Sequence, residues 1–378
     1  MSIIINIGKA MLNFIYCFFK LIPVKKKITI ISRQSDSPSL DITMLAEKIK
    51  ELHPDYEVTI LCKTLGHNLF GKIFYVLHMF SQMYHLTSSE AVLLDSYCIL
   101  ASILNHRKTL FIIQMWHSIG TMKKFAYSIL DKPEGNSSKI AHLMKMHANY
   151  DYILAAGDGY HSHLAEGFNY SEDKIVTMPL PRVEALKSYE YSEKARAEIL
   201  LHYPELKDKK NVVYVPTFRK VGDNAFLEAV ANLCHSFDYD NYNLIIKAHP
   251  LSDLGKLDSS LAIVDTTFSS FEMLFIADIV ISDYSCIMYE AAVLKKPIYL
   301  YAYDYNEYMS TRDIYMDYKS EVPGPICNDA NSLVDSISSG IYDYEKLDAF
   351  LNKYVYMSSN HETEDMVNFI FRHKKTLP

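Results

Sequence analysis

Ile279-Val280-Ile281-Ser282-Asp283-Tyr284-Ser285-Cys286-Ile287-Met288-Tyr289-Glu290 is the stretch that decides the fold. An apolar triplet runs into small polar residues, and Ile287, Ala291 and Leu294 then recur at helical spacing. A strand that turns directly into a helix leaves free backbone N–H groups at the helix start. Those groups and the positive end of the helix dipole attract phosphate. Ser282 and Ser285 therefore read as phosphate ligands, through hydroxyl and backbone N–H. Asp283 reads as an N-cap, because a carboxylate beside a phosphate is repulsive. Glu290 lies further into the helix, where its carboxylate can accept from ribose hydroxyls; a plain helix-face charge is the alternative.

Outward from this unit the pattern repeats. Short apolar runs at 28–31, 58–61, 92–95, 110–113 and 152–155 alternate with helical patterns at 40–52 and 69–85. Strands alternating with helices imply a parallel sheet with helices on both faces. Residues 186–210 are polar and charged and mark a junction. A second alternation follows: strands at 211–215, 244–246, 279–281 and 297–301, with a helix over 223–236. The expected organisation is a surface helix (1–24), a first α/β domain (25–190), a second (205–343) and a helical tail (344–378) crossing back to the first.

Composition narrows the function. The 378 residues are 49% hydrophobic with a formal charge of −7. That fits an ordered globular chain and argues against general nucleic-acid binding. The six cysteines form no C-x-x-C and no zinc-like cluster, so free thiols in a reducing cytosol are expected. No His/Cys/Asp group marks a metal, and none is expected to be required. Neither a G-x-G-x-x-G nor a G-x-x-x-x-G-K-[ST] sequence occurs, which argues against dinucleotide oxidoreductases and P-loop NTPases. In the first 27 residues an apolar segment is interrupted by Lys9, Asn13 and Lys20 and closed by Pro23 and Lys25-Lys26-Lys27. The interruptions argue against a spanning helix. Leu12, Ile15, Tyr16 and Phe19 share a face, which predicts a helix lying on the cytoplasmic membrane surface. Docking on the protein's own body is the alternative.

Five motifs in order carry a resemblance: Trp116-His117, Pro181-Arg182, Pro216-Thr217-Phe218-Arg219, Lys247-Ala248-His249-Pro250, and the 282–325 stretch with Arg312. Together the chain resembles the CDP-glycerol glycerophosphotransferase family, the enzymes that build teichoic-acid polymers. Ser118 and Asp313 depart from it, standing where the family usually has glycine. The resemblance implies a GT-B-like α/β architecture of two doubly wound parallel-sheet domains facing a cleft. It implies attack of an acceptor hydroxyl on the β-phosphorus of CDP-glycerol or CDP-ribitol, with CMP leaving. The acceptor would be a lipid-linked saccharide or a growing polyol-phosphate chain. His117, at a strand end, is then the expected base, with His249 a second expected catalytic residue; Asp41 and Asp95 are rival bases. Arg219, Lys247 and His249, with Arg182, Arg312 and Thr217, would hold the donor phosphates. Arg33, in the loop 32–41, suits a phosphate of the acceptor, with Asp41 nearby. A CMP-sialate-type sugar transferase and a non-catalytic assembly scaffold are the competing readings.

Overall fold

The computed structural model describes residues 2–66, 68–217, 224–247, 262–357 and 359–375. The chain forms two compact units. Unit 1 comprises Met1–Ser118, Phe125–Glu184 and Met357–Pro378; unit 2 comprises Ile119–Lys124 and Ala185–Tyr356.

Unit 1 is built on a six-stranded parallel sheet of β1 (Lys27–Ser32), β2 (Glu57–Cys62), β3 (Ala91–Leu94), β4 (Phe111–Gln114), β5 (Tyr152–Ala155) and β6 (Ile175–Thr177), in the order β2-β1-β3-β4-β5-β6. Every residue of β1, β3 and β4 is buried, as expected where helices cover both faces of a parallel sheet. The core joins Ile28, Ile30, Leu93, Phe111 and Ile113 to Ile42, Leu45 and Ile49 of helix α2 (Leu40–Leu52). The helix Glu362–His373 adds Met366, Val367 and Ile370 to the same core. Burying those three side chains contributes about 1.5–3 kcal/mol each.

Unit 2 carries β7 (Lys210–Tyr214), β8 (Tyr242–Ile246), β9 (Ile263–Val264), β10 (Ile279–Ser282), β11 (Ile298–Tyr301) and β12 (Ile326–Cys327), all parallel, in the order β12-β11-β10-β7-β8-β9. Val212, Leu244, Ile281 and Tyr301 pack with Phe226, Val230 and Leu233 of the helix Asn224–Ser236. Each sheet therefore has one place where successive connections wind in opposite directions. It lies between β1 and β3 in unit 1 and between β7 and β10 in unit 2. Loops diverge at such points and leave room for ligands at the carboxyl ends of the strands.

Helix α1 (Ser2–Phe19) corrects the face read from the sequence. Tyr16 is fully buried, with its hydroxyl 2.8 Å from His106 Nδ1, and Leu12, Ile15 and Phe19 are half-buried. The residues that interrupt the apolar run are the ones that tie the helix down. Lys9 donates to the Leu143 carbonyl, and Asn13 donates to the Ile103 carbonyl at 3.1 Å and accepts from Asn105 N at 2.7 Å. The opposite stripe of Ile3, Ile7, Met11, Phe14 and Phe18 is exposed, Phe14 to 66%. By length and composition alone, α1 is apolar enough to cross a membrane, which the interrupted sequence had argued against.

Candidate active site

His117 follows β4 by three residues. The turn that delivers it is strained, since Trp116 has φ +63°, a left-handed conformation uncommon outside glycine. Trp116 N donates to Gln114 Oε1 at 3.0 Å, and the indole packs on His117, Phe125 and Phe168. Ser118 has no positive φ, so the residue standing in place of glycine fits without strain. His117 Nδ1 lies 3.1 Å from the Asp95 carbonyl. A carbonyl can only accept, so Nδ1 carries the proton and Nε2 of the neutral ring carries the lone pair. Burial, aided by the nearby Arg182 charge, holds the imidazole below the ordinary histidine range, although the Asp95 bond opposes this. The ring is therefore neutral, with its basic nitrogen set, near pH 7.

The rival bases are otherwise engaged. Asp41, in the first turn of α2, is 2% exposed. It accepts from Arg182 Nε at 2.8 Å, from Arg182 Nη2, and from Arg182 N at 2.8 Å. This corrects two expectations. Asp41 is not a base, and Arg182 closes on Asp41 while its Nη2 also donates to the His117 carbonyl at 3.1 Å. Asp95 meets the histidine through its backbone, not its carboxylate. Burial raises that carboxyl above the usual range despite hydrogen bonds from Ser32 and Ser96, and Oδ1 is buried without a partner. Arg33 N donates to Ser96 Oγ at 2.9 Å across the β1/β3 divergence, and Arg33 Nη1 donates to the Tyr97 carbonyl at 3.0 Å.

In unit 2 the second divergence point is laced by Asp283. Its fully buried carboxylate accepts from Thr217 N at 2.8 Å, Thr217 Oγ1 at 2.6 Å and Tyr284 N at 2.6 Å, and the Tyr318 hydroxyl donates to its carbonyl at 2.8 Å. Asp283 is thus not the expected N-cap. The helix Ile287–Val293 begins at Cys286 with no side-chain cap, and the carboxylate binds the loops after β7 and β10 together. Ser282 is also corrected: it is buried, and its hydroxyl donates to the Val215 carbonyl at 3.3 Å. Ser285 stays half-buried at the helix start. Glu290 is 4% exposed, which excludes a solvated helix-face charge.

Gly120, in the segment Ile119–Lys124, lies against this helix. A Cβ there would stand 1.9 Å from the Tyr289 ring, and the Gly120 carbonyl accepts from Cys286 Sγ at 3.5 Å. Lys124 N donates to the Asp313 carbonyl at 2.9 Å, and Tyr315 N to the Met122 carbonyl at 2.9 Å. These bonds fix the loop after Arg312, which is half-buried, and Asp313 needs no positive φ there.

Lys247 is corrected as well. Its ammonium is 2.8 Å from Asp265 Oδ2 and 3.2 Å from the Asp265 carbonyl, forming an internal pair with side chains 9% and 0% exposed. Burial pushes the Asp265 carboxyl up, but bonds from Lys247, Thr267 N and the Tyr203 hydroxyl outweigh it and hold the group below its ordinary value. Sequence reasoning missed Asp265. Arg219 and His249 lie outside the described residues.

Several known proteins share this framework. A teichoic acid ribitol-phosphate primase of Bacillus spizizenii is 33% identical over 359 residues, covering 93% of this chain and 92% of that protein. A teichoic acid glycerol-phosphate primase of Bacillus subtilis is 28% identical, covering 78% and 76%. A solved structure of the wall teichoic acid polymerase TagF superposes with a TM-score of 0.73 at 20% identity, covering 99% of this chain and 98% of that one, which supports the GT-B-like α/β fold. The family described as CDP-glycerol:poly(glycerophosphate) glycerophosphotransferase matches residues 14–372, and this chain belongs to it.

Proposed function

We propose that the protein transfers a polyol phosphate from its CDP ester to a lipid-linked saccharide or a growing polyol-phosphate chain in teichoic-acid-type polymer synthesis. The observation that carries this reading is the 3.1 Å approach of His117 Nδ1 to the Asp95 carbonyl, which sets Nδ1 as donor and leaves Nε2 as base. Nε2 takes the proton of an acceptor hydroxyl as its oxygen attacks the β-phosphorus. The bond between that phosphorus and the CMP oxygen breaks, and CMP leaves with the electron pair. In unit 2 the loop fixed by Asp283 and Thr217, Ser285 at the helix start, Glu290 and Arg312 receive the donor. Arg219 and His249 are proposed to complete its phosphate contacts.

Glycerol and ribitol share the nucleotide half. The 33% identity to a ribitol-phosphate primase across nearly the whole of both chains favours ribitol. Membrane attachment is part of the proposal. The exposed stripe of α1 would lie among acyl chains, with Lys25, Lys26 and Lys27 following the helix, and Lys26 exposed.

The purified protein is offered CDP-glycerol, CDP-ribitol and CMP-sialate with a lipid-linked disaccharide, and products are weighed. CMP release with acceptor growth by one polyol phosphate is expected. Release from neither CDP-polyol refutes the reading, and release from CMP-sialate alone restores the sugar-transferase alternative. A scaffold would keep pathway function in His117→Ala.

A further inference from the structure

The first half of helix α3 (Leu69–Ser88) has its polarity inverted, whereas further along Met83 and Leu86 are buried in the ordinary way. Phe70, Ile73, Phe74, Val76, Leu77 and Phe80 are exposed, Phe70 to 73% and Phe74 to 62%. The face turned to the protein carries Tyr75, His78 and Gln82, spaced i, i+3 and i+7. A surface helix ordinarily does the reverse.

What lies under that inner face is also unusual. The Arg33 guanidinium sits 5.6 Å from the Tyr75 ring, and the Arg33 and Gln82 side chains both approach the Tyr75 hydroxyl. The His78 ring is 5.8 Å from that of Tyr75. Gln82 is 1% exposed, and its Oε1 is taken by the Cys98 thiol at 3.9 Å. Yet Arg33 Nε, Gln82 Nε2 and His78 Nε2 are each buried with no hydrogen-bond partner. Among the described residues, no carboxylate pairs with Arg33. The nearby Asp36 is occupied by Thr64 N and Oγ1, both at 2.7 Å, and by Lys63 at 3.3 Å. An unmatched buried donor is costly, and an uncompensated guanidinium more so. Such groups persist where a ligand completes them. They lie at the β1/β3 divergence, where open α/β sheets take ligands. Arg33 also bonds the Ser96-Tyr97 turn that follows Asp95, whose carbonyl holds His117.

We infer that Arg33, Tyr75 and Gln82 form a subsite for a phosphate or diphosphate group of the acceptor, with His78 beside it and the apolar outer face of α3 meeting the lipid that carries that group. The inference rests on the proposed transferase reading for calling the ligand an acceptor. The anion subsite itself is tested without turnover. The guanidinium fork and the amide donate to phosphate oxygens, the cation offsets one unit of the anion's charge, and the donor unit is not involved.

The full chain is titrated with farnesyl diphosphate, inorganic diphosphate and farnesol, reading thermal protection and the fluorescence of Trp116. Both diphosphates are expected to bind the native protein, farnesyl diphosphate the more tightly. Arg33→Gln should weaken both at least tenfold, whereas diphosphate held in the donor site would be indifferent to it. Equal affinity in Arg33→Gln, or farnesol binding as well as its diphosphate, overturns the subsite. If Arg33→Gln does not fold, Arg33→Lys and Tyr75→Phe carry the same comparison, and undiminished binding in both overturns it. In turnover, the variants should raise KM for a lipid diphosphate acceptor while leaving KM for the CDP donor unchanged. A wild type inert toward every CDP-polyol but still binding diphosphate through Arg33 would refute the transferase reading and keep the subsite.

Discussion

Replacing Arg182 with methionine isolates the buried pair behind His117. The Asp41 side chain is 3% exposed and that of Arg182 18%. Removing the cation strands a carboxylate out of water, and breaking a buried pair in this way costs about 3–5 kcal/mol. One of the three bonds to Asp41 comes from the Arg182 backbone N–H and survives the substitution, which puts the expected loss near the lower limit. Asp41→Asn should cost less, because the amide oxygen still accepts from that N–H and the arginine, being nearer the surface, recovers some solvent. Joining Arg182→Met to Asp41→Leu removes both charges and should restore much of the loss, as apolar replacements of buried pairs do. Urea denaturation followed by Trp116, the one tryptophan of the chain and a unit 1 residue, reads the transition. Turnover is read separately. Losing the 3.1 Å bond to the His117 carbonyl lets the base drift, and misplacement of about 1 Å can cost on the order of a hundredfold in kcat. Additive single and double losses, or an Arg182→Met protein within about 0.5 kcal/mol of wild type, would show that the pair does not act as a unit.

Three further outcomes are expected. The acid limb of kcat/KM reports protonation of His117; since its folded-state pKa is depressed, the limb's midpoint should fall below the ordinary value of about 6.5, and His117→Ala should lose about 10²–10⁴ in rate and the limb with it, so a midpoint above that value would exclude this histidine as the base. Changing Ile7, Phe14 and Phe18 together to serine should release the protein from anionic vesicles without altering its melting point, because these side chains are exposed and the bonds of Lys9, Asn13 and Tyr16 remain; undiminished binding would place the membrane contact elsewhere. Asp283→Asn leaves one oxygen to accept from two Thr217 donors and should weaken donor binding while sparing acceptor KM, at about 1.5–3 kcal/mol per charged hydrogen bond lost, so an unchanged donor KM would make Asp283 a structural residue only.

Much of the fold was legible because long buried strands announce themselves. The apolar runs at 28–31 and 279–281 lie inside β1 and β10, and the expected helix at 40–52 is Leu40–Leu52. Strands β6, β9 and β12 escaped, since two or three residues at the far side of a sheet carry no periodicity to read. The site was legible as a set of residues but not as a set of partners. Asp41 and Arg182 looked like a base and a phosphate clamp because nothing local joins positions 141 apart; only the sheet brings the start of α2 to the helix Pro181–Lys187. Lys247 looked free because Asp265 follows a two-residue strand with no motif around it. The left-handed turn at Trp116 had no glycine to betray it.

The pairings that sequence could not show share a logic. The proposed substrates are anions at both ends of the reaction, and a bare carboxylate near the strand ends would repel them. Among the described residues, four acidic groups near those ends are met by the protein itself, two of them by a paired cation. Asp41 is closed by Arg182, Asp265 by Lys247, and Asp283 by backbone and hydroxyl donors from two loops. Asp95 is pushed toward its neutral form by burial. Arg33 was given no carboxylate among the described residues. Two of the lysine and arginine side chains read as substrate ligands are thus spent neutralising the protein's own carboxylates, whereas Arg33 keeps a buried donor unmatched and has surroundings that call for an anion from outside.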